Sequence, residues 1–482
     1  MKATFLQEPE LEFGAGSHVD VRFGIANYGP FDRDQPSPAK TIRLGIVGNA
    51  EAVESVAKWL ERCASGVPAK PSRQTNLFPK FPGYGEDSPF ASSLVIEPRG
   101  QRSIKNTEIA QLRSIGDPDR LVEEAVGLML AEVGYVAVQT TADVIICAVP
   151  AELLELLQGH EPLVPETDQD APEHRGTKLD FRRVLKARAM ALGKPIQIVL
   201  PATYGGRMKK RRQHASKQRR TLQDEATRAW NFFTALYYKR GGIPWRIPRD
   251  VSAFTTCYLG IAFFRSHDDE HLHTSVAQVF DERGHGLVIR GGPAVIDKDD
   301  RVPHLPHADA RHIVLNALRL YRDEHKAYPA RVVIHKSSRY TADERDGCLA
   351  AVKELDVDQA DLLCCRRSFN RLFRRGAYPP LRGTVLSLDQ RRHVLYSKGS
   401  VDFFQTYPGL YVPLPIEVEI ETAEQAPEAL LREMLALTKM NWNSTQFDHA
   451  EPITLVAASQ VGDILRYLTP DEPIQPRYSF YM

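Results

Sequence analysis

Apolar positions along this chain recur with two periods, and they alternate between them. Residues 42–48 form a short apolar run, and Asn49 is placed to cap the helix that follows, whose apolar positions are Val53, Val56, Ala57 and Leu60. The spacing predicts a helix over 121–133, strands at 135–138, 143–149 and 196–200, and a helix at 180–192 feeding the last of them. A further helix over 222–239 carries Leu222, Ala226, Trp230, Phe233 and Tyr237 on its apolar stripe, and Gly241, Gly242 and Pro244 stop it. Strands alternating with helices predict an α/β layer with a mainly parallel sheet. Residues 77–87 are rich in Pro and Gly and read as a loop, and residues 158–178, polar and acidic, as a surface loop.

Beyond residue 245 the order changes. A strand at 256–263 precedes a hairpin-like pair, 274–280 and 286–290, with residues 282–285 as its turn. A helix at 308–325 and a strand at 331–335 come next. Strands first and alternating helices afterwards suit an RNase H-like fold. We place the lobe boundary at this point, giving a first domain over 1–245 and a second over 246–482. Residues 1–40 carry little pattern of their own.

At 482 residues the chain is long enough for two cores, and 43% hydrophobic with 26% charged residues is an ordinary globular balance. The formal net charge of +1 hides a local excess: residues 207–220 hold eight Lys/Arg in fourteen positions. That run, with Arg207, Lys209, Lys210, Arg211 and Arg212 at its start, is either a solvated loop or a contact for phosphates or a partner. The six cysteines show no C-x-x-C spacing and fit reduced thiols in a cytoplasmic protein. The vicinal pair Cys364-Cys365 fits burial between strand and helix better than redox chemistry. No apolar run is long enough for a membrane span, and none resembling a leader begins the sequence. Gly48 is not followed by G-x-G-x-x-G, which argues against a dinucleotide loop. His267, His271 and His273 flank an acidic run without H-E-x-x-H spacing, and a solvated turn suits them better than a metal site.

Arg182 and Lys186 are four apart and share one helix face. They precede Gln197 and, after the basic run, Lys239-Arg-Gly-Gly at the helix end. This ordered set resembles the MID domain of Argonaute proteins, where a Tyr-x-x-x-Lys pair, a Gln and a Lys-x-Gly-Gly lysine hold the 5′ end of a guide strand. Arg182 stands where that pattern has Tyr, which trades a stacking ring for charge and a forked donor. The resemblance continues through Gly260-Ile261-Ala262, the Lys336-Ser337-Ser338 end of a strand, and residues 441–482. Arg22-Phe23-Gly24 and Phe81-Pro82-Gly83-Tyr84 add to it. The order and length resemble a short prokaryotic Argonaute, which consists of MID and PIWI domains.

The resemblance implies a Rossmann-like MID domain plus an RNase H-like PIWI domain. It implies a 5′-phosphate pocket made by Arg182, Lys186, Gln197 and Lys239, with the carboxylate of Met482 reaching it through Mg2+. The PIWI pattern of metal-binding carboxylates is degenerate here: Ala262, Ser337 and Ser459 take three of the positions, and no Glu finger aligns. None of these side chains can replace a carboxylate on Mg2+, so the expectation is a chain that holds a guide without cutting. Such proteins pair in a heterodimer with an APAZ-domain effector and use a small 5′-phosphorylated guide RNA to recognise single-stranded DNA of plasmids or phage. Recognition switches on the effector, with a sirtuin-like NADase favoured over a TIR NADase or a nuclease, and the invaded cell dies through NAD depletion (abortive infection). The competing expectations are a guide-directed nuclease with non-aligned carboxylates, a guide-independent nucleic-acid-binding regulator, and a structural scaffold.

Overall fold

The computed structural model describes residues 1–158, 179–205, 223–248, 254–267, 271–280, 286–296, 302–373, 375, 379–409, 412–447, 449–469 and 471–482. The basic run and the polar stretch at 159–178 lie outside these residues. The chain opens with β1 (Lys2–Phe5), the short pieces β2 (Leu11–Glu12) and β3 (Ser17–His18), and helix α1 (Val21–Tyr28). The first lobe then alternates: β4 (Thr41–Gly48), α2 (Ala50–Ala64), β5 (Ser93–Ser103), α3 (Asn106–Gln111), α4 (Pro118–Gln139), β6 (Val144–Ala148), α5 (Ala151–Gln158), α6 (Phe181–Ala189), β7 (Ile196–Val199), α7 (Pro201–Tyr204) and α8 (Glu225–Lys239). Its strands form a parallel sheet in the order β5-β4-β6-β7. Asn49 caps α2 as its position suggests, accepting from the amide of Ala52.

One reading of this lobe changes. Residues 135–138 belong to α4, not to a strand. Val133 and Val136 are buried with Met129 while Val138 is 75% exposed, so burial follows a helical stripe and only the β-branched composition mimics a strand. Strand β5 carries no clean alternation because it is a sheet edge containing Pro98 and Gly100, which fit an edge and little else.

The second lobe contains β8 (Thr256–Arg265), β9 (Leu272–Phe280), β10 (Val288–Pro293), β11 (Val295–Ile296), β12 (Pro303–His304), α9 (His307–His325), β13 (Arg331–Lys336), α10 (Ala342–Glu354), β14 (Gln359–Arg367), β15 (Thr384–Ser387), β16 (Arg392–Leu395), β17 (Ile416–Thr422), α11 (Pro427–Leu437) and α12 (Ile453–Leu465). Its main sheet runs β1-β15-β16-β17-β14-β13-β8-β9-β10. At its centre β8, β13 and β14 are parallel, and β8-β9-β10 form an antiparallel meander, which is the RNase H-like arrangement.

The first residues of the chain therefore cross to the second lobe, where β1 pairs antiparallel with β15. A buried ionic group holds this crossing: Glu8 pairs with Arg382 at 2.8 Å and with Lys439 at 3.1 Å, and the two cations are almost wholly buried. One continuous buried cluster links the lobes. Trp245, fully buried at the junction, donates to the main-chain oxygen of Lys439 at 3.0 Å. Helix α8 is buried on nearly every face, and its Phe233 stacks on Phe81 (5.0 Å between centroids) and Tyr84 (4.8 Å). The turn that delivers these rings depends on Gly83, at φ +101°, where a Cβ would lie 2.4 Å from the Ala64 carbonyl.

Candidate functional site

The candidate pocket lies where α6, β7, the end of α8 and the C-terminal residues meet. Asp180 caps α6 by accepting from the Arg183 amide, and its own amide donates to the Tyr467 hydroxyl at 3.3 Å. The cap fixes the helix so that Lys186, in its last turn, is 7% exposed. Arg182 sits one turn earlier on the same face, half-buried. Gln197 comes from β7 and is half-buried.

Lys239 is the last residue of α8 and is held there by how the helix stops. Gly241 has φ +98°, a conformation that disfavours any side chain. At Gly242 a Cβ would meet the Tyr237 ring at 2.3 Å and Ala39 at 2.7 Å. The amides of Gly241 and Gly242 bond back to Tyr238 and Tyr237. The two glycines thus turn the chain tightly away, leaving the Lys239 stem along buried surface. Its ammonium reaches Gln197 Oε1 at 2.6 Å, the Ile196 main-chain oxygen at 2.8 Å and the Met482 main-chain oxygen at 3.1 Å. Lys186 Nζ lies 3.5 Å from the Tyr481 main-chain oxygen. Tyr481 and Met482 are both 2% exposed.

The structure thus brings Lys186, Gln197, Lys239 and Met482 together and sets Arg182 on the adjoining turn. Main-chain oxygens of Ile196 and Tyr481 join the site, and no side-chain pattern could have revealed them. Gln475 also went unread: its amide donates to the Met190 carbonyl at 2.9 Å, and its own carbonyl accepts from the Tyr481 hydroxyl at 3.0 Å, which ties the tail against α6. Arg207, Lys209, Lys210, Arg211 and Arg212 fall outside the described residues.

A second candidate centre lies at the carboxyl ends of β8 and β13. Ala262 on β8 is 7% exposed, and the Ser337 amide donates to the neighbouring Ile261 carbonyl at 3.3 Å, so the two positions sit side by side. Ser459 is exposed on α12. On that helix Thr454 covers the sheet, packed over Gly260 and bonded to His335 Nδ1 at 2.9 Å. Five residues on, Ser459 is turned by roughly 140° from Thr454 around the helix.

The carboxylate of Glu344, at the start of α10, is committed elsewhere. It pairs with the buried Lys336 at 2.7 Å and accepts from the Leu305 and Thr341 amides. Burial pulls the Lys336 ammonium down, against the pull of Glu344. Among the described residues no group of three or more His, Cys, Asp or Glu is placed to hold a metal ion. His271 is exposed, while His267 and His273 lie against Tyr467 and Phe264. The six cysteines are buried and unbridged, and burial pushes the Cys364 thiol up to about 11 and raises that of Cys365 as well. Among the described residues no helix is long and apolar enough to cross a membrane.

No protein-family model matches the chain, and no curated protein matches it either. Solved structures do. Clostridium butyricum Argonaute bound to a guide DNA and a 19-mer target DNA superposes with a TM-score of 0.63 at 15% identity, over 99% of this chain and 54% of that one. Marinitoga piezophila Argonaute in complex with a 5′ OH guide RNA gives 0.57 at 12% identity, over 100% and 59%. Drosophila Piwi gives 0.55 at 14% identity, over 99% and 56%. The chain spans a little over half the length of the structures it matches. At these identities the likeness establishes the fold: a Rossmann-like MID domain joined to an RNase H-like PIWI domain.

Proposed function

We propose that this chain holds the 5′ end of a guide strand in the pocket of Arg182, Lys186, Gln197 and Lys239 and presents the guide for pairing without cutting the target. The observation that carries this reading is the convergence of Lys186 and Lys239, from two helices, on the main-chain oxygens of Tyr481 and Met482. Two largely buried ammonium groups, one beside a side-chain amide, match a terminal phosphate, which carries nearly two charges and accepts several hydrogen bonds. Sequence specificity comes from base pairing, and the protein contributes placement.

The oxygens of Gln197, Ile196, Tyr481 and Met482 are the donor type that Mg2+ takes. Among the described residues no cluster of carboxylates accompanies them, and a bound phosphate would supply the compensating charge. Met482 and Gln197, whose oxygens now accept from Lys239, would hold such an ion, and its charge would offset repulsion between the phosphate and the main-chain end.

The absence of cutting rests on Ala262 and Ser337 standing side by side where two metal-binding carboxylates would be needed. In the fuller reading the chain is a short Argonaute partnered by an APAZ-domain effector, with a sirtuin-like NADase favoured over a TIR NADase or nuclease. A small 5′-phosphorylated RNA guides it to single-stranded DNA, and the partner then depletes NAD.

The Marinitoga neighbour was solved with a 5′ OH guide, so the end chemistry has to be measured for this chain. The test is to purify the chain with its co-purifying partner from cells and sequence the nucleic acid it carries. Short 5′-phosphorylated RNAs are expected. An intact complex free of small RNA would overturn the guide reading in favour of a regulator or scaffold. Manganese-dependent cleavage of a guide-matched strand would overturn the non-cutting reading.

A further inference from the structure

The loop after β14 displays two aromatic rings to water. Phe369 is 85% exposed and Phe373 80%. Their main chain is anchored. The Ser368 amide donates to the Pro415 carbonyl at 2.9 Å, and Ser368 Oγ accepts from the Asn370 amide and side chain at 3.3 and 2.9 Å. The fully buried Tyr396 accepts from the Leu372 amide at 2.6 Å and donates to the Asn370 carbonyl at 3.3 Å. A buried tyrosine spent on holding a loop, while two phenylalanines of that loop stand in solvent, is the arrangement of a presented surface.

Position and charge say what the surface faces. Because β8, β13 and β14 are parallel, Arg367 ends β14 at the same edge as Ala262 and Ser337, and ligands of such sheets sit at the carboxyl edge. No acidic residue occurs between Asp361 and Asp389. Arg371 and Arg375 are exposed; among the described residues neither is in an ion pair, and Arg371 donates to the Asn370 carbonyl at 3.0 Å. Aromatic faces interleaved with exposed guanidinium groups match unpaired bases joined by phosphates, because every base offers a π-face and every linkage a charge.

We infer that Phe369 and Phe373 stack on unpaired bases of a single-stranded nucleic acid passing the carboxyl edge of the second-lobe sheet, with Arg371 and Arg375 on its phosphates. This rests on the proposed function only in taking nucleic acid as the ligand, and it does not involve the 5′ pocket.

The test measures binding of the full chain to a single-stranded 20-mer of thymidine, with either a 5′ hydroxyl or a 5′ phosphate. The double variant Phe369→Ala, Phe373→Ala is expected to bind both strands at least about 10-fold more weakly. The ratio between the two strands should stay unchanged, and the corresponding double Trp variant should restore binding. Arg371→Gln with Arg375→Gln should lower the salt dependence of binding by about 1.4, at about 0.7 per charge. Four outcomes overturn the inference: no binding of the 5′-hydroxyl strand by the unmodified chain, alanine affinities within twofold of it, losses that Trp does not rescue, or loss of a co-purifying protein with strand affinity intact. Failure of the pocket reading is separate, since it appears as equal affinity for the two strands in every variant.

Discussion

Replacing Lys239 by Met keeps an unbranched stem, one atom shorter, and removes the ammonium. Three oxygens then lose a charged donor: Gln197 Oε1, the Ile196 oxygen and the Met482 oxygen, at 2.6, 2.8 and 3.1 Å. A buried acceptor left unpaired costs about 1–3 kcal/mol. The Gln197 amide can reorient to relieve part of this, and the variant no longer carries the desolvation cost of a buried charge. The net is a loss of about 2–4 kcal/mol of folding stability, within the range for breaking one side of a buried charged contact. Urea unfolding of the full chain measures it. The binding arm is separate: a charge-assisted hydrogen bond to phosphate is worth about 1.5–3 kcal/mol, or roughly 10- to 150-fold. Preference for a 5′-phosphorylated over a 5′-hydroxyl RNA should fall by that factor. A variant that is destabilised yet keeps its preference within about twofold would show that Lys239 only tethers the tail, and the pocket assignment would fail. Gln197→Leu, alone and combined, completes a double-mutant cycle, and coupling of at least about 0.5 kcal/mol is expected for groups 2.6 Å apart.

Gly242→Ala should cost about 1–3 kcal/mol, because its Cβ would lie 2.3 Å from the Tyr237 ring; the unfolding midpoint reads it, and an unchanged midpoint would contradict the packing. Glu8→Gln removes the one carboxylate shared by Arg382 and Lys439, two cations exposed by 1% and 2%, and should cost about 3–5 kcal/mol by the same measurement. Restoring Asp together at 262, 337 and 459 should give no metal-dependent cleavage of a guide-matched strand, since no Glu finger aligns; appearance of product would revise the site. Acid should destabilise the fold early. Burial, reinforced by Arg331, lowers His335 to about 3, and burial with Lys398 and Arg382 lowers His449 to about 4. Both are depressed below the ordinary value near 6.5, so the folded state holds fewer protons than the unfolded chain in between. Stability is therefore full above pH 6.5 and declines toward pH 4 and below, by up to about 3 kcal/mol for His449 at about 1.4 kcal/mol per pH unit. A flat unfolding midpoint from pH 7 to 4.5 would refute this.

What could be read from the sequence was local. Lys239-Arg-Gly-Gly was legible because the glycines are demanded within four residues, by a positive φ at Gly241 and by lack of space at Gly242. Ala262 and Ser337 were legible because each follows a short apolar run, Ala262 within β8 and Ser337 just beyond β13. The hairpin β9–β10 and the Asn49 cap follow from the same short-range rules. What escaped was made by distance along the chain. Strand β1 pairs with β15 across more than three hundred residues, and the Glu8 group joins three segments whose charges look like ordinary surface positions. The Ile196 and Tyr481 oxygens escaped because main-chain acceptors leave no mark in a sequence. Residues 135–138 misled because β-branched composition outweighed the helical period that continues through them.

The two candidate centres are connected by packed helices, and this sets what the fold can deliver. Helix α6 carries Arg182 and Lys186 toward the pocket, while its Arg183 pairs with Asp463 of α12 at 2.6 Å and its Asp180 amide meets Tyr467 just beyond α12. The ion pair alone is half-exposed and contributes little. Tyr478, in the tail that brings Met482 to Lys239, bonds Gln460 of the same α12. Helix α12 in turn rests Thr454 on Gly260, two residues before Ala262. Under the proposed function, a strand anchored by its end at Lys239 would therefore meet the second-lobe sheet at a separation fixed by α6 and α12. On the same reading, a scaffold that sets this distance without carboxylates at Ala262 and Ser337 would keep the placement of a paired strand while leaving cleavage out of this chain.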